Sequence, residues 1–443
     1  MGARVSVGGI GKGTVSALEW DAPVMEGSQP APSRAVGRVC VVRSLYFPRD
    51  PKSRREVDAL IDAGHDVDVV CLRRGNEPLR ARYRRARVWR LPLEHRRGSL
   101  TRYLIEYTVV LLLATILIGV LHLRRRFDVV QINTPPDVLA FSAIVARVFG
   151  ARVLLQLQEP TPEFFATKFK ASERSRMVGL VAWMEQASIR FADFVITCTE
   201  HMRQTFVGRG APPWKIAVVV PTSNENEFNP GTARRRSHDS GRFTLVSHGS
   251  IEERYGLDTV IRALRHLRDE MPDIRLQIYG EGTYTATLER LSRDLGVKDL
   301  VSFHGWVSVE ELVQAIADAD AGVVAMKRDP FRDLTHCLKM YDFISMRRPA
   351  IVSRTRSVDD YFGDDALQKF NPGDEHDLAR AIRDLRADPI RADHLVENAA
   401  KATERLRWAH QRNFYLRVVD GLVAGRSDSP AFRSLGEASE SAP

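Results

Sequence analysis

Short apolar runs alternate with longer amphipathic stretches along most of the chain, and this alternation restricts the fold more than any other feature. The first run, at residues 38–42, is typical of a buried strand, and a helix over 54–63 and a second strand at 67–72 follow it. Two strands joined in this way require a parallel sheet. The order repeats as far as residue 220 and starts again at residue 244, after a polar stretch. The sequence therefore predicts an α/β protein with two successive parallel-sheet domains.

Composition shifts mark the ends of these domains. Gly, Ser, Pro and Ala are frequent in the first 36 residues, and Ser, Gly, Glu and Arg in the last 19, as is typical of disordered tails. The predicted segments are a disordered tail (1–36), a first domain (37–228), a linker (229–241), a second domain (242–403), a helix that packs back on the first domain (404–424) and a disordered tail (425–443). No apolar signal-peptide core follows a basic start, so we expect a cytoplasmic protein.

Composition also excludes several classes of protein. The 443 residues are 44% hydrophobic and 27% charged, which excludes global disorder, a small disulfide scaffold and a many-span membrane protein. The chain has four cysteines, Cys40, Cys71, Cys198 and Cys337, and their spacing is not that of metal ligands. They are typical of ordinary thiols in a reducing compartment, and no zinc site is predicted. A net charge of +9 suits a phosphate-rich ligand, an anionic membrane or nucleic acid. Nucleic acid is the least favoured, because the arginine run at 73–97 lacks aromatic residues interleaved on a predicted sheet face.

Residues 107–123 form an uncharged hydrophobic segment, which three arginines at 124–126 follow. Its 17 residues span about 26 Å as a helix, against roughly 30 Å for a bilayer core. The predicted strands on both sides belong to one sheet, so a crossing would divide that domain between two compartments. A buried core helix, a helix in the plane of a membrane surface and a span remain as alternatives. The run 73–97 carries ten Arg and two Glu, so peripheral contact of 73–126 with anionic lipids is a further hypothesis.

Candidate ligand-binding residues follow the predicted strands of the second domain. Ligands of open α/β sheets bind beyond the carboxyl ends of the strands, at loops that lead into helices. One loop carries Gly249, Ser250 and Arg254, which suit a phosphate because small residues expose backbone N–H groups and a guanidinium can pair with the charge. Two other strand ends contribute Gly280, Gly282, His304 and Gly305. A glycine after a strand is common, and His304 alone is more typical of an interior histidine.

Lys339 and Asp342 form a second candidate group. They are three residues apart near the start of a predicted helix, so they share one face of it. A cation and a carboxylate placed in this way can hold a diphosphate and a ribose diol together. The alternative is an ordinary surface ion pair, and the two residues alone do not decide between them.

Taken in order, these residues resemble a family 4 retaining glycosyltransferase of GT-B fold, over about residues 38–423. The specific motifs lie in the second half: VSHGSIEERYGLDTVIRAL, LQIYGEGTYTATLERL, VSFHGWVSVEELVQAIADADAGVV and LKMYDFISMRRPAIVS. In the first half, FDVVQINTPPDVLAF and LQEPTPEFF are similar to a branch that builds surface polysaccharides on lipid-linked acceptors. The resemblance implies two Rossmann-like domains that face a central cleft.

The resemblance also implies roles for individual residues. The second domain would hold a nucleotide-diphosphate sugar, with Gly249, Arg254 and Lys339 at the diphosphate. Asp342 would contact the ribose, and the first domain would hold a glycan or lipid-linked acceptor. The remaining implied residues are Ser250, Gly280, Gly282, His304 and Gly305 at the donor, Asn133, Pro136 and Glu163 at the acceptor, and Gln158 and Glu159 among the catalytic groups. No metal and no cofactor are implied, since the sugar nucleotide is a co-substrate.

The sequence departs from the family pattern at some of these positions. Asn133 stands where relatives usually have His, and QLQE at 156–159 stands where they have Asp-x-His-Asp. The first member of the family's carboxylate pair falls on Leu334, while Asp342 fills the second place. Glutamine cannot accept a proton as histidine can. We predict a hexosyltransferase for cell-surface polysaccharide or glycoconjugate synthesis, and a non-catalytic scaffold of the same fold and a sugar-nucleotide epimerase remain alternatives.

Overall fold

The computed structural model describes residues 36–94, 100–169, 171–172, 174–233 and 241–426, together with Phe432. These residues form an eight-stranded sheet followed by a six-stranded sheet. The predicted fold class, two α/β domains with parallel sheets, is confirmed. Most of both predicted tails and residues 234–240 of the predicted linker lie outside the described residues.

The first sheet is parallel except at one edge. Its strands are β1 (Arg38–Arg43), β2 (Asp66–Leu72), β3 (Arg80–Tyr83), β4 (Ala86–Leu91), β5 (Val129–Asn133), β6 (Arg152–Leu157), β7 (Phe194–Thr197) and β8 (Ile216–Val218). Their order is β3-β4-β2-β1-β5-β6-β7-β8, with β3 antiparallel to β4. The sequence did not predict the β3–β4 hairpin, because its buried residues, such as Val88 and Leu91, stand singly among outward-facing arginines.

Helices cover both faces of the first sheet. They are α1 (Pro51–Asp62), α2 (Leu100–Arg125), α3 (Ile144–Val148), α4 (Thr161–Phe169), α5 (Arg176–Phe191) and α6 (Glu200–Gly208). On one face, Ile118 of α2, Ala146 of α3 and Ile189 of α5 share a core with the sheet. On the other face, Leu60 of α1 packs with Val41. Successive residues of a strand point to opposite faces, so an uninterrupted apolar strand supplies both cores.

The second sheet is parallel throughout. Its strands are β9 (Phe243–His248), β10 (Ile274–Tyr279), β11 (Val301–Gly305), β12 (Ala321–Val324), β13 (Ala350–Ser353) and β14 (Gln368–Phe370), in the order β11-β10-β9-β12-β13-β14. The helices are α7 (Leu257–Leu267), α8 (Thr285–Asp294), α9 (Val309–Asp318), α10 (Leu338–Ser345), α11 (Arg356–Tyr361), α12 (Glu375–Ala387), α13 (Pro389–Ala402) and α14 (Trp408–Val423).

Helix α14 packs back on the first domain. Tyr415 and Leu422 are buried in the core that contains α1, and the Tyr415 hydroxyl donates a hydrogen bond of 2.6 Å to Gln131 Oε1. Phe432 lies in a stretch whose composition predicted disorder, yet it is buried against Phe194, with ring centroids 4.8 Å apart. Phe432 therefore contributes to the first-domain core.

Helix α2 extends beyond the predicted hydrophobic segment at both ends. Val110, Ala114 and Ile118 lie along one buried stripe in the first-domain core. In the described part of the chain, Thr101–Arg125 is the one helix that is long and apolar enough to cross a membrane. The strands before and after it, β4 and β5, lie in the same sheet.

The two domains touch across the cleft between them. Thr199 Oγ1 donates a hydrogen bond of 2.6 Å to the Leu334 carbonyl oxygen. Phe164 of α4 packs edge-on against Phe331, with ring centroids 5.5 Å apart. These contacts bring the loop between β12 and α10 against the first domain, so the cleft is closed at this point.

Candidate active site

Three cationic side chains surround the ring of Tyr255 where the strands of the second sheet end. Lys339 Nζ lies 4.0 Å from the ring centroid, and the guanidinium carbons of Arg254 and Arg332 lie 5.3 and 5.6 Å from it. We call these three side chains the Tyr255 cation cluster. Burial lowers the pKa of Lys339, and the positive charges of Arg332 and Arg254 lower it further. The ring attracts each cation, but only an anion can offset their mutual repulsion.

The cluster is short of partners within the protein. Arg332 Nε is buried without a hydrogen-bond partner among the described residues. Lys339 Nζ has one contact, of 3.5 Å, with the Ser250 carbonyl oxygen. In the same part of the chain, neither Lys339 nor Arg254 forms an ion pair with a carboxylate. Cations gathered in this way are suited to an external anion with several oxygens, such as a diphosphate.

The strand-end glycines create space for the cluster. Gly249 has a φ of +92°, and a Cβ added there would lie 2.8 Å from Lys339 Cε. Gly280 has a φ of +132°, and its Cβ would lie 2.1 Å from the Gly249 carbonyl oxygen. The Gly249 N–H donates to Tyr279 O at 2.8 Å, and the Gly280 N–H donates to Gly305 O at 2.6 Å. Gly249 therefore gives room to Lys339, while its own N–H is already used between the loops.

Two helices begin beside the cluster without a capping side chain. Gly256 is the N-cap of α7, and a Cβ there would lie 1.8 Å from the Ala325 carbonyl oxygen. Cys337 precedes α10 and makes no side-chain cap. The first N–H groups of a helix lack intrahelical partners, and the helix dipole favours an anion there. Arg254 lies just before one of these N-termini and Lys339 in the first turn of the other, so charge and dipole act together.

Asp342 lies on the same helix as Lys339 but is directed towards the end of the first domain. Its Oδ1 accepts a hydrogen bond of 2.6 Å from Ser223 Oγ, and its Oδ2 lies 3.5 Å from His248 Nε2. Burial raises the pKa of Asp342 to about 7 and lowers that of His248 to about 3. The sequence did not indicate Ser223 as a partner. A contact of Asp342 with a ribose stays a prediction.

The other predicted donor residues converge on the same sheet edge. The rings of Tyr279 and His304 stack with centroids 4.4 Å apart and an interplanar angle of 8°. Burial lowers the pKa of His304. Gly282 is pressed against the next loop, where a Cβ would lie 1.9 Å from the Ile251 carbonyl oxygen. The loops that carry these residues thus form one continuous wall beside the cation cluster.

A buried carboxylate organises the strand ends of the first domain. Asn133 Nδ2 and Gln131 Nε2 donate to Glu56 Oε2 at 2.8 and 2.9 Å. Gln156 Nε2 donates to Glu56 Oε1 at 2.6 Å, and the Tyr415 hydroxyl of α14 holds Gln131 from the other side. Burial raises the pKa of Glu56, and the amide donors partly counter this. We call these five residues the Glu56 network.

The network gives two departures from the family pattern a physical role. The side chains of Asn133 and Gln156 are buried and both bind Glu56. The structure therefore places Asn133 beneath the cleft surface, and its contact with an acceptor stays a prediction. Glu56 was missed because a single glutamate within an amphipathic helix carries no motif.

Replacing Tyr415 by Phe should lower the free energy of unfolding by about 1–3 kcal/mol, because Gln131 Oε1 would be left buried without its donor. The hydroxyl of Tyr83 is a matched control, since it donates to Asp58 at 3.2 Å in a partly exposed position. Tyr83→Phe should change stability by less than about 0.5 kcal/mol. Urea unfolding of both variants measures the difference, and equal effects would show that the Glu56 network does not hold α14.

Gln158 lies in a narrow crevice on the cleft side of the first domain. Its side chain is 5% exposed, and its Nε2 has no hydrogen-bond partner among the described residues. Lys52, Arg55, Cys198 and Trp408 also line this crevice, which has a volume of about 10 Å³, room for about one water. An unpaired buried donor is costly, so the Gln158 amide is suited to a ligand oxygen. Its neighbour Glu159 is half-buried.

The remaining predicted acceptor residues are not brought together. Glu163 is bound to Arg209, which also donates to Glu185 at 3.1 Å. Burial raises the pKa of Glu185 to about 8. Pro136 is buried at the start of the turn Asp137–Ala143. Glu163 and Arg209 line a cavity of about 250 Å³ against α5. The structure gives Glu163 a structural partner and does not group it with Asn133.

One group in the described part of the chain has the residue types of a metal site. His266, Glu375 and His376 place their ligand atoms within 4.8 Å of one another. The group lies near the end of α7 opposite to Gly256, and Arg262 Nε approaches Glu375 at 3.8 Å. None of these three residues belongs to the Tyr255 cation cluster, whose side chains are positively charged and therefore suited to an anion.

Two protein families match the chain in succession. The glycosyl transferase 4-like domain matches residues 28–222, and the glycosyl transferases group 1 domain matches residues 232–402. The boundary between the matches falls where the chain passes from the first sheet to the second. The cation cluster lies in the group 1 domain, and the Glu56 network lies mainly in the 4-like domain.

Curated relatives are similar over part of their length. The sulfoquinovosyl transferase SQD2 of Arabidopsis thaliana is 22% identical over 296 residues, which cover 64% of this chain and 55% of that protein. A GDP-mannose-dependent phosphatidylinositol monomannoside mannosyltransferase of Mycolicibacterium smegmatis is 29% identical over 209 residues, 45% of this chain and 55% of that protein. The chain thus spans about half the length of the curated relatives that it matches.

Solved structures share the fold. Sucrose-phosphate synthase from Thermosynechococcus elongatus superposes with a TM-score of 0.72 at 18% identity, covering 88% of this chain and all of that one. HepE of Anabaena in complex with UDP superposes with a TM-score of 0.65 at 14% identity, and the match covers 87% of this chain and 100% of the HepE chain. At such identities the likeness shows the architecture. With a 4-like domain followed by a group 1 domain on two facing parallel sheets, the chain belongs to the glycosyltransferases of GT-B fold.

Proposed function

We propose that this protein transfers a hexose from a nucleotide-diphosphate sugar to a hydroxyl of a glycan or lipid-linked acceptor, with retention of configuration. The observation that carries the proposal is the Tyr255 cation cluster, where Arg254, Arg332 and Lys339 lack carboxylate partners beside two uncapped helix N-termini. A diphosphate leaving group gains negative charge as its bond to the sugar breaks. Positive groups fixed in advance where that charge develops are the main means by which such a site lowers the barrier.

The reaction breaks one bond and forms one bond at the anomeric carbon. The diphosphate oxygen departs with the electron pair of the glycosidic bond, and the acceptor oxygen attacks the same face of the sugar. The acceptor's proton passes to the departing phosphate oxygen, so atoms and charge balance. The protein's part is to stabilise the diphosphate with the cation cluster and to position the two substrates. This assignment needs neither a bound metal nor a cofactor.

Several likenesses support a sugar nucleotide as donor. HepE was solved with UDP-glucose, and the mycobacterial relative is named as GDP-mannose-dependent. In this chain, the stacked pair Tyr279 and His304 lies at the end of β10 and β11, beside the loop of Gly249. We assign the nucleoside to this wall and the diphosphate to the cation cluster. Asp342 is the assigned ribose contact, beside Ser223.

The acceptor is proposed to be attached to a lipid, in the synthesis of cell-surface polysaccharide or glycoconjugate. The names of two relatives, a phosphatidylinositol monomannoside mannosyltransferase and a lipopolysaccharide core glycosyltransferase of Rhizobium meliloti, support this class of acceptor. On this proposal the protein works at the cytoplasmic face of a membrane. Within the proposed contact region 73–126, three arginines of the β3–β4 hairpin are paired with carboxylates: Arg84 with Asp58 at 2.9 Å, Arg87 with Asp66 at 2.6 Å and Arg90 with Glu77 at 3.1 Å. Helix α2 is therefore the better candidate for the contact.

A panel of UDP- and GDP-sugars tests the proposed function. Purified protein is incubated with each donor, with and without a lipid extract that supplies acceptors, and the released nucleoside diphosphate is measured. We expect release with one donor class, accelerated by the extract, and a sugar-labelled lipid product. Conversion of the donor to its epimer in the absence of the lipid extract would instead identify a sugar-nucleotide epimerase.

Gly249→Ala should lower the rate of nucleotide release at least ten-fold, because the added Cβ would displace Lys339 from the cluster. Gly210→Ala is the matched control: Gly210 also has a positive φ, +105°, but has no atom within 4 Å of an added Cβ. Both variants should lose about 1 kcal/mol of stability from backbone strain. Thermal unfolding and nucleotide release separate the two effects. Equal loss of activity in both would remove Gly249 from the donor site.

A non-catalytic scaffold is the second candidate function. Gln158 and Asn133 favour it, because amides occupy places where the family pattern has histidine. Such a protein would bind a sugar nucleotide at the cation cluster and release no nucleoside diphosphate with any acceptor extract. Calorimetric binding without turnover across the panel would establish the scaffold, and slow hydrolysis of the donor would exclude it.

A further inference from the structure

Helix α2 exposes a second apolar stripe opposite its buried one. Leu112 and Ile116 are 57% and 64% exposed, and the stripe runs along almost the whole helix: Ile105, Leu112, Ile116, Val120 and Leu123. The spacing of these residues keeps them on one side of the helix. A helix that is apolar all round is expected to be buried all round. Here half of the apolar surface has no cover among the described residues.

Helices α3 and α5 continue this apolar surface. Beside α2, α3 approaches so closely that a Cβ on Gly119 would lie 3.2 Å from Val145 Cγ1. Helix α5 contacts the turn that leads into α3, where Ser188 Oγ donates a hydrogen bond of 2.9 Å to the Asp137 carbonyl oxygen. The outer sides of these two helices add Val148, Phe149, Met177, Leu180 and Trp183, each at least 46% exposed. We call these ten exposed residues of the three helices the α2–α3–α5 surface.

The buried stripe fixes α2 parallel to the domain face. Val110, Ala114, Ile118 and Leu121 are at most 4% exposed and belong to the core beneath the sheet. A crossing orientation would take these side chains away from that core and expose it. The exposed stripe can therefore meet a lipid surface only with the helix axis lying along it.

Exposed arginines frame the surface at both ends of α2. Arg102 lies in its first turn, and Arg124 and Arg126 lie at its end. Arg176 is the first residue of α5 and is also exposed. None of the four forms an ion pair in the described part of the chain. Basic side chains around an apolar face are complementary to anionic lipid headgroups around acyl chains, and each contributes to binding at such a surface.

We propose that the α2–α3–α5 surface docks on an anionic membrane, with α2 in the plane of the interface and Trp183 and Phe149 at headgroup depth. Docking would bring the proposed transferase to its lipid-linked acceptors, and in this respect the inference rests on the proposed function. The docking itself does not require that the protein transfers a sugar. The framing arginines argue for a membrane as the occupant, because a second copy would bring like charges together. A dimer and coverage by the chain's own ends are outcomes of the test.

Vesicle sedimentation of the full chain tests the docking. Wild type should sediment with vesicles of phosphatidylglycerol and phosphatidylcholine and much less with phosphatidylcholine alone. Ile116→Glu should lower partitioning at least ten-fold, whereas Ile390→Glu, at a position 73% exposed on α13, should leave it unchanged. Arg124→Gln with Arg126→Gln should lower binding to the anionic vesicles about 30-fold, and Arg391→Gln on α13 should not.

Three results would overturn the docking surface. The first is no sedimentation of wild type, the result expected if the chain's own ends cover the surface. The others are equal effects of the Ile116 and Ile390 changes, and a wild-type dimer that Ile116→Glu converts to a monomer in light scattering. Thermal unfolding of each variant checks that it folds. Nucleotide release without acceptor, measured on the same preparations, reports the proposed transferase separately. Docking with no release would uphold this surface and count against the transferase, and the reverse result would do the opposite.

Discussion

Replacing Lys339 by Ala is expected to lower sugar transfer by about a thousand-fold, equivalent to about 4 kcal/mol of transition-state stabilisation. Lys339 Nζ lies over the ring of Tyr255, which Arg254 and Arg332 also approach, and no carboxylate forms an ion pair with it in the described part of the chain. Its charge is therefore available for the departing diphosphate. Nucleotide release in the presence of acceptor measures the loss.

The melting temperature should change little in Lys339→Ala, because removing a buried cation from beside two others also removes repulsion. Lys339→Met keeps most of the stem and should show the same loss of rate. Lys298→Ala is a matched control, since Lys298 Nζ lies 5.3 Å from the Phe303 ring on the surface of the same domain. A parallel loss of fold and activity would mean that Lys339 supports the structure and not a phosphate.

Replacing Arg332 by Ala should lower the transfer rate about a hundred-fold. Its Nε is buried without a partner among the described residues, and its guanidinium also stacks on Phe331, 4.7 Å from the ring centroid. Phe331 packs against Phe164 of the first domain, so Arg332 contacts both the closed end of the cleft and the cation cluster. Removing it should both weaken the hold on the diphosphate and loosen the closed state.

Arg332→Lys separates these two contributions, because it keeps the charge but loses the planar fork of the guanidinium. We expect a loss of about ten-fold for this variant. Arg328→Ala is the control in the same loop, since Arg328 is paired with Asp333 at 3.0 Å and should affect the rate less than two-fold. If the Arg328 and Arg332 changes had equal effects, the loop as a whole would matter and the cation cluster would lose a member.

Much of the proposed donor side could be predicted from the sequence because strand ends in a parallel sheet meet at one edge. Gly249 and Gly280 follow two neighbouring strands and Gly305 ends a third, and hydrogen bonds join these strand ends. Arg254 and Lys339 lie at the starts of helices that begin at that edge. Local patterns of glycine, charge and apolar spacing were therefore sufficient to bring these residues together.

Arg332 and Glu56 could not be predicted in the same way. Arg332 lies in a long loop between β12 and α10, where no periodicity fixes the direction of a side chain. Glu56 gains its role only because α1, β5, β6 and α14 meet around it, and its partner Tyr415 is distant in the chain. The hydrogen bond of Asn133 to Glu56 could not be predicted either, because the two residues are far apart in the sequence.

The sequence by itself determined the two α/β domains, the strand-end glycines and the strongly apolar helix, because strand and helix periodicity and the special freedom of glycine are local properties of the chain. Only the tertiary structure decided that Arg332 completes the cation cluster and that Asn133 serves Glu56. It also decided that α2 buries one apolar stripe and exposes the other. The physical reason is that burial and charge neutralisation depend on neighbours distant in sequence, which no local pattern specifies.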